Sequence, residues 1–99
     1  MSTNVGEKIR IMRKSEMLTQ EKMAEITGLT VAALRQYEQG RNKPNLESTK
    51  KLLKSPVFRK YRDWFLFDEV EPKAGQVVPA LAHIGQSEAE SSHSGKKTG

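Results

Sequence analysis

Residues 19–40, TQEKMAEITGLTVAALRQYEQG, constrain the fold of this chain more than any other stretch. Thr19 and Thr30 each precede a short run of helix-forming residues, so each predicts the N-cap of a helix. Gly28 lies between the two runs and predicts a tight turn with a positive φ. The stretch therefore predicts two short helices joined by a glycine turn.

The apolar residues of this stretch have the spacing that a pair of crossing helices requires. Ala24 is small, which allows the two helices to approach closely. Leu29 and Leu34 are apolar and can fix the second helix on the first. Together with Gly28, these residues favour the helix-turn-helix plan, in which the second helix enters the major groove of DNA.

Three further helices are predicted in the first two-thirds of the chain. Asn4 and Glu7 have the spacing of a capping pair at the start of the first helix. Asn45 predicts the start of the fourth helix. Ser55, followed by Pro56 at the first helical position, predicts the start of the fifth. The fold class is therefore all-α, with five helices over residues 1–67.

Composition limits the classes of function. The chain has 99 residues, enough for one small domain, and no cysteine, which removes disulfides and thiolate chemistry. The two histidines, His83 and His93, lie far along the chain without a cluster of metal ligands or a nucleophile. We therefore expect no enzyme, metal, cofactor or small-molecule ligand. No apolar run approaches the roughly 20 residues that span a bilayer. The absence of cysteine fits a reducing cytoplasm, which is the expected location.

Charge is distributed unevenly along the chain. Residues 1–67 carry a net charge of +7, whereas residues 68–99 carry −2. The basic part is the part expected to meet a polyanion such as double-stranded DNA. Charge alone leaves open a generically basic helical domain.

The N-terminal part of the predicted recognition helix supplies the candidate base contacts. Small residues allow a close approach to the bases and suit the methyl group of thymine, and a glutamine can bond adenine through two hydrogen bonds. Arg35 can reach guanine or a phosphate. The candidates are Val31, Ala32, Ala33, Arg35 and Gln36. The alternative is that Ala32 and Ala33 are only good helix formers on a solvent-exposed face.

Candidate phosphate contacts lie at the starts of the two motif helices and on the loop after the recognition helix. Such contacts supply affinity but carry no sequence information. They are Thr19, Gln20, Thr30, Arg41, Asn42 and Lys43. Weaker candidates on the first helix, which fit a solvated face, are Arg10, Arg13 and Lys14.

Five of the six aromatic residues fall within residues 58–67. One alternative is packing in the core of the domain; the other is a surface that contacts a second copy of the chain. An apolar stretch broken by Pro79 follows, within residues 68–85, and predicts an extended or β arm that packs on a partner. Residues 86–99 are polar and predict a disordered tail. The candidate dimer contacts are Phe58, Tyr61, Trp64, Phe65, Val77, Val78 and Leu81.

The segment LTQEKMAEITGLTVAALRQYEQGRNKP resembles the Cro/C1-type (XRE-family) helix-turn-helix. The resemblance implies a five-helix lambda-repressor-like domain and a structural role for Glu38, holding Arg41 or a loop amide. One departure is Thr27, where many members carry leucine, and Ile26 beside it is expected to be partly exposed. The resemblance implies DNA contacts by Gln20, Thr30, Val31, Ala32, Ala33, Gln36 and Arg41, and core positions for Leu18, Met23, Ala24, Leu29, Leu34 and Tyr37.

The whole chain is similar to a narrower group, the short immunity repressors of P-two-like temperate phages. The similarity lies in its length and in the stretches MRKSE, FRKY, AGQVVPALAHIGQ and HSGKKTG. It implies a repressor of early lytic transcription that maintains lysogeny and binds directly repeated half-sites as a homodimer. Two alternatives remain from sequence: an antitoxin that neutralises a toxin and autoregulates its operon, and the controller protein of a restriction-modification system.

Overall fold

The computed structural model describes residues 4–82. This part of the chain is helical and contains no strand, which confirms the all-α prediction. Two 3-10 turns, Arg59–Tyr61 and Pro72–Ala74, supplement the α-helices. The predicted tail, the last part of the predicted arm and both histidines lie outside the described residues. The α-helices are α1 (Val5–Ser15), α2 (Gln20–Thr27), α3 (Val31–Glu38), α4 (Leu46–Lys54) and α5 (Arg62–Phe67).

The first four helices start at the predicted N-caps. In each of the first four helices, the cap oxygen accepts a hydrogen bond of 2.8 to 3.0 Å from the backbone N–H three residues later. Each bond satisfies one of the N–H groups that a helix start leaves unpaired. Gly28 ends α2 with φ +80°, as predicted. The four caps are Asn4, Thr19, Thr30 and Asn45.

One core joins all five helices, and it includes the core positions that the resemblance implied on α2 and α3. Leu46, at the start of α4, is exposed, whereas Leu52 and Leu53 are buried. Ile26 is half-buried, as expected. The most deeply buried apolar residues are Ile9, Met12, Met23, Leu34, Leu52 and Phe58.

The predicted start of the fifth helix at Pro56 is wrong. Ser55 ends α4, and its hydroxyl both donates to the Leu52 carbonyl (3.0 Å) and accepts from the Phe58 N–H (3.3 Å). These bonds hold the chain in a turn at residues 56–58, which directs Phe58 into the core. The α-helix begins only at Arg62.

α1 and α3 approach each other at Gly6. A Cβ at this position would overlap the carbonyl oxygen of Tyr37 and lie 3.3 Å from its carbonyl carbon. The Tyr37 hydroxyl in turn donates to Ser48 of α4 at 3.1 Å. The C-terminal part of α3 is thus held between α1 and α4, which fixes the orientation of the helix.

Lys8 of α1 is buried against the C-terminal end of α5. Its ammonium group donates to the carbonyls of Trp64 (3.1 Å) and Phe65 (3.0 Å) and forms an ion pair with Asp68 (2.6 Å). The charge therefore meets the last carbonyls and the negative dipole end of a helix. Lys8 connects α1 to α5.

Glu16, in the turn after α1, connects this turn to the segment before α5. It accepts a hydrogen bond from the Tyr61 hydroxyl and forms a 3.0 Å ion pair with Lys60. Burial opposes the ionisation of Glu16, but these two partners outweigh it and lower its pKa. Burial and the adjacent carboxylate raise the pKa of the Tyr61 hydroxyl.

The segment after the second 3-10 turn packs on its own domain. Gln76 is buried; its side-chain oxygen accepts from the Asp63 N–H (2.9 Å) and its amide nitrogen donates to the Arg59 carbonyl (3.1 Å). The Val77 N–H donates to the Lys60 carbonyl at 2.9 Å. Residues further on continue this contact with the domain.

Residues 79–82 reach back to α1. Pro79 and Ala82 are fully buried, and the Leu81 N–H donates to the Ser15 hydroxyl at 3.1 Å. Residues 76–79 have no regular secondary structure, and residues 80–82 are helical. The buried residues of the described part of this arm therefore complete the core of the same chain, and the packing of its exposed residues on a partner stays a prediction.

Candidate DNA-binding interface

α3 is fixed on α2 through the turn between them. Leu34 is fully buried, and Tyr37 and Glu38 are also buried. Thr27 occupies a position where the resembled family often has leucine. Its hydroxyl donates to the Met23 carbonyl (2.8 Å) and accepts from the Leu29 N–H (3.3 Å), so this buried polar group has its partners. The threonine therefore holds the turn by hydrogen bonds instead of by apolar packing alone.

The outward face of α3 presents part of the candidate base-contact set. Ala32, Arg35 and Gln36 are exposed, whereas Val31 and Ala33 are half-buried against the core. A helix that carries a small residue, a glutamine and an arginine on its free face, and directs its large apolar side chains toward the core, can present these groups in the major groove. The structure thus presents three of the five candidates directly to solvent.

The loop after α3 presents the other basic candidates. Arg41, Asn42 and Lys43 are all exposed between α3 and α4. The Asn42 amide nitrogen lies 3.4 Å from the side-chain oxygen of Gln36, and its own oxygen accepts from the Lys43 N–H at 3.2 Å. Asn42 thereby connects the loop to the glutamine of the recognition helix.

The candidate phosphate contacts at the helix starts are already engaged within the protein. The hydroxyls of Thr19 and Thr30 accept the capping bonds from Lys22 and Ala33. Both residues remain exposed at the helix starts, where backbone N–H groups can meet a phosphate. Gln20 is half-buried, and its amide donates to Glu38 at 3.3 Å.

Glu38 is the centre of a buried ion pair behind the recognition helix. Its side chain is 3% exposed, and Arg13 of α1 contacts both carboxylate oxygens, with Nε at 2.8 Å and Nη2 at 2.9 Å. Arg13 also donates to the Leu18 carbonyl at 3.0 Å. The hydrogen bond with Glu38 outweighs burial and raises the pKa of Arg13. This pair connects α1 to the end of α3.

The structural role of Glu38 is thus as the resemblance implied, but the implied partner is wrong. Glu38 holds Arg13 and not Arg41, because its side chain points inward to α1 whereas Arg41 lies on the exposed loop. Arg10 joins the same group, donating to the Glu38 carbonyl at 3.1 Å. The sequence did contain a signal for this: Arg10 and Arg13 are three residues apart on one helix face, and a buried glutamate requires a cation.

The aromatic candidates for a dimer surface lie inside the chain. All four are buried, which matches the core-packing alternative. Of the other candidates, Val77 is exposed, and Val78 and Leu81 are half-buried. The four core residues are Phe58, Tyr61, Trp64 and Phe65.

The described residues contain no helix long and apolar enough to cross a membrane. Within residues 4–82 there is also no group of three acidic, histidine or cysteine side chains that could hold a metal ion. The candidate interface is the exposed face of α3 with its basic flanks. Such an arrangement defines the class of helix-turn-helix DNA-binding proteins.

Comparison with known proteins assigns the chain within this class. Residues 9–55 match the family described as Helix-turn-helix. The chain is 46% identical over 99 residues to Repressor protein C of Escherichia phage P2, covering the full length of both. It is also 29% identical over 87 residues to uncharacterized HTH-type transcriptional regulators of Sinorhizobium medicae and Rhizobium meliloti, covering 85% of this chain and 58% of each relative.

The chain belongs to the helix-turn-helix repressor family that includes the phage P2 protein. It is a transcriptional repressor with a helix-turn-helix DNA-binding domain, in a family of non-enzymatic regulators. Both resemblances inferred from the sequence are therefore confirmed.

Proposed function

We propose that this repressor binds a specific double-stranded operator through α3, acts as a homodimer at an early lytic promoter, and so maintains lysogeny. The observation that carries the proposal is the exposed face of α3, with Ala32 and Gln36 free to meet base edges. The helix is held rigidly from behind by the Arg13–Glu38 pair, which fixes its approach to DNA. Its relationship to a phage repressor supports the lysogenic role.

Affinity and specificity come from different parts of this surface. Gln36 supplies an amide that can accept from and donate to one adenine, and Ala32 can contact a thymine methyl group. Arg41 and Lys43 lie on the flanking loop, where cations meet the phosphate backbone without reading sequence. Specific recognition therefore depends mainly on α3, and general affinity depends mainly on its flanks.

Replacing Gln36 with alanine is expected to relax specificity at one base pair, at a cost of about 1–3 kcal/mol there. Arg41→Ala is the matched comparison, because it removes a predicted phosphate contact; it should weaken binding to all sequences and reduce the salt slope by about one unit. Fluorescence anisotropy on operator and on random duplexes, over a salt series, measures both effects. Equal losses on both duplexes for Gln36→Ala would contradict base reading, and an unchanged slope for Arg41→Ala would contradict phosphate binding.

In the proposed dimer, each copy contacts a groove between α4 and α5 of the other copy. The groove has a volume of about 360 Å³, and its lining combines apolar side chains, among them Leu46 and Leu66, with the cations of Lys50, Lys54 and Arg59. Within residues 4–82, none of these three cations forms an ion pair. The groove therefore fits a segment that is both apolar and acidic.

The same chain carries such a segment next to the groove. Phe67 is 65% exposed, and the exposed Glu69 and Glu71 follow it. Two copies related by a two-fold axis can each place Phe67 and these carboxylates against the groove of the other. Apolar burial and opposite charges would then act together, as a stable interface between copies requires.

Replacing Phe67 with serine is expected to weaken self-association at least about tenfold, since burial of an aromatic side chain is worth more than about 1.4 kcal/mol. Met17→Ser is the matched control, because Met17 is 90% exposed in the turn after α1, away from the groove. Sedimentation velocity over a concentration series measures the dimer dissociation constant. An unchanged constant for Phe67→Ser, or an equal loss for Met17→Ser, would exclude the groove as the interface.

A further inference from the structure

A polar cleft lies between α1, the start of α2 and the last turns of α3. Its volume is about 490 Å³. It brings residues from three helices together beside the candidate phosphate contacts at the start of α2. The lining residues that matter for its chemistry are Arg10, Arg13, Thr19, Gln20, Arg35 and Glu38.

The charges of this cleft do not cancel. Glu38 is neutralised by Arg13, which contacts both of its oxygens. Arg10 donates one hydrogen bond to the Glu38 carbonyl at 3.1 Å, and its Nε lies 3.6 Å from the shared carboxylate. The guanidinium of Arg35 forms no hydrogen bond or ion pair within residues 4–82. Three arginines thus line the cleft against one carboxylate.

These contacts orient Arg10 but engage only some of its hydrogen-bond donors. A guanidinium has five N–H donors in a planar fork, and the observed contacts engage only one side of it. Its side chain is 44% exposed, so the remaining donors reach solvent. Arg35 is exposed on the adjacent helix, so both cations are free to meet one anion at the mouth of the cleft.

We propose that Arg10 and Arg35 together clamp one phosphate of the operator backbone, which makes Arg35 a phosphate contact and not a base contact. This inference rests on the proposed function, because it places the backbone of operator DNA across the start of α2. Guanidinium groups match phosphate geometry and bind it through paired hydrogen bonds. Gln20, whose amide donates to Glu38, lines the same cleft.

The clamp is tested with the full chain and DNA from the region flanking its gene, using Arg10→Gln, Arg35→Gln and the double variant. Loss of one neutralised phosphate should lower the slope of log affinity against log salt by about 0.9 in the double variant. In ethylation interference, ethylation of one particular phosphate should weaken binding of the parent protein but not of the double variant. Lys73→Gln is the control, since it removes one exposed positive charge from the second 3-10 turn.

The outcomes separate the clamp from the proposed function. If the parent protein protects no operator, the proposed function fails and the clamp fails with it. If the operator is protected but the double variant keeps the parent slope and interference pattern, the clamp alone is overturned. Relaxed preference at one base pair in Arg35→Gln would instead assign Arg35 to base reading. A slope reduction of the same size in Lys73→Gln would show a general charge effect and also overturn the clamp.

Discussion

Replacing Glu38 with alanine is expected to lower the free energy of unfolding by about 3–5 kcal/mol, because it leaves a buried cation without its partner. Arg13 makes two short bonds to this carboxylate, and Arg10 and Gln20 also contact Glu38. The loss is large beside the total stability of about 5–15 kcal/mol that is typical of such a domain. Urea unfolding followed by the fluorescence of Trp64 measures it.

Removing both members of the pair provides the control. Exchanging Arg13 for methionine and Glu38 for leucine replaces the ion pair by apolar side chains of similar volume, and such exchanges are often neutral in stability. We therefore expect the double variant to be more stable than Glu38→Ala alone. A loss below about 1 kcal/mol in Glu38→Ala, the range of an exposed ion pair, would contradict the buried role assigned to Glu38.

Replacing Phe58 with alanine is expected to destabilise the folded chain by about 3–5 kcal/mol, the usual cost of emptying an aromatic site in a core. Phe58 is 0% exposed and packs near Tyr61, with ring centroids 6.5 Å apart. Because this site belongs to the core of one chain, the loss should not depend on protein concentration. Urea unfolding at several concentrations tests this directly.

Phe67→Ala is the matched control for Phe58→Ala, since it truncates the same side chain at an exposed position. At a concentration where sedimentation shows monomers, the control should change the free energy of unfolding by less than about 0.5 kcal/mol. If Phe58→Ala instead promoted dissociation of a dimer and left the monomer as stable as the parent, Phe58 would be an interface residue and its assignment to the core would be wrong.

The helix-turn-helix could be predicted from sequence because local chemistry determines it. Thr19 and Thr30 cap their own helices and Gly28 has a positive φ, so each signal acts within a few residues. The fifth helix could not be predicted in the same way. Ser55 and Pro56 satisfy the rules for a helix start, but the hydrogen bonds of Ser55 and the burial of Phe58 produce a turn.

In the candidate site, too, local features could be predicted and features that depend on long-range packing could not. The exposure of Gln36 follows from helical spacing, whereas the partner of Glu38 depends on how α1 crosses α3. Likewise, residues 58–67 contain more apolar side chains than one face of a helix can bury. Only the packing decides that Phe58 lies in the core and Phe67 on the surface. Long-range packing of this kind leaves no pattern at short spacing in the sequence.

DNase footprinting of the purified protein on DNA flanking its own gene tests whether α3 recognises a specific operator. Titrations of the parent and of Gln36→Ala at two salt concentrations should be run side by side. We expect the parent protein to protect two half-sites over a promoter. The Gln36→Ala variant should distinguish those half-sites less well from the flanking DNA. Weak, uniform and salt-sensitive coverage by the parent would contradict this expectation, since a basic domain without base reading binds DNA in that way.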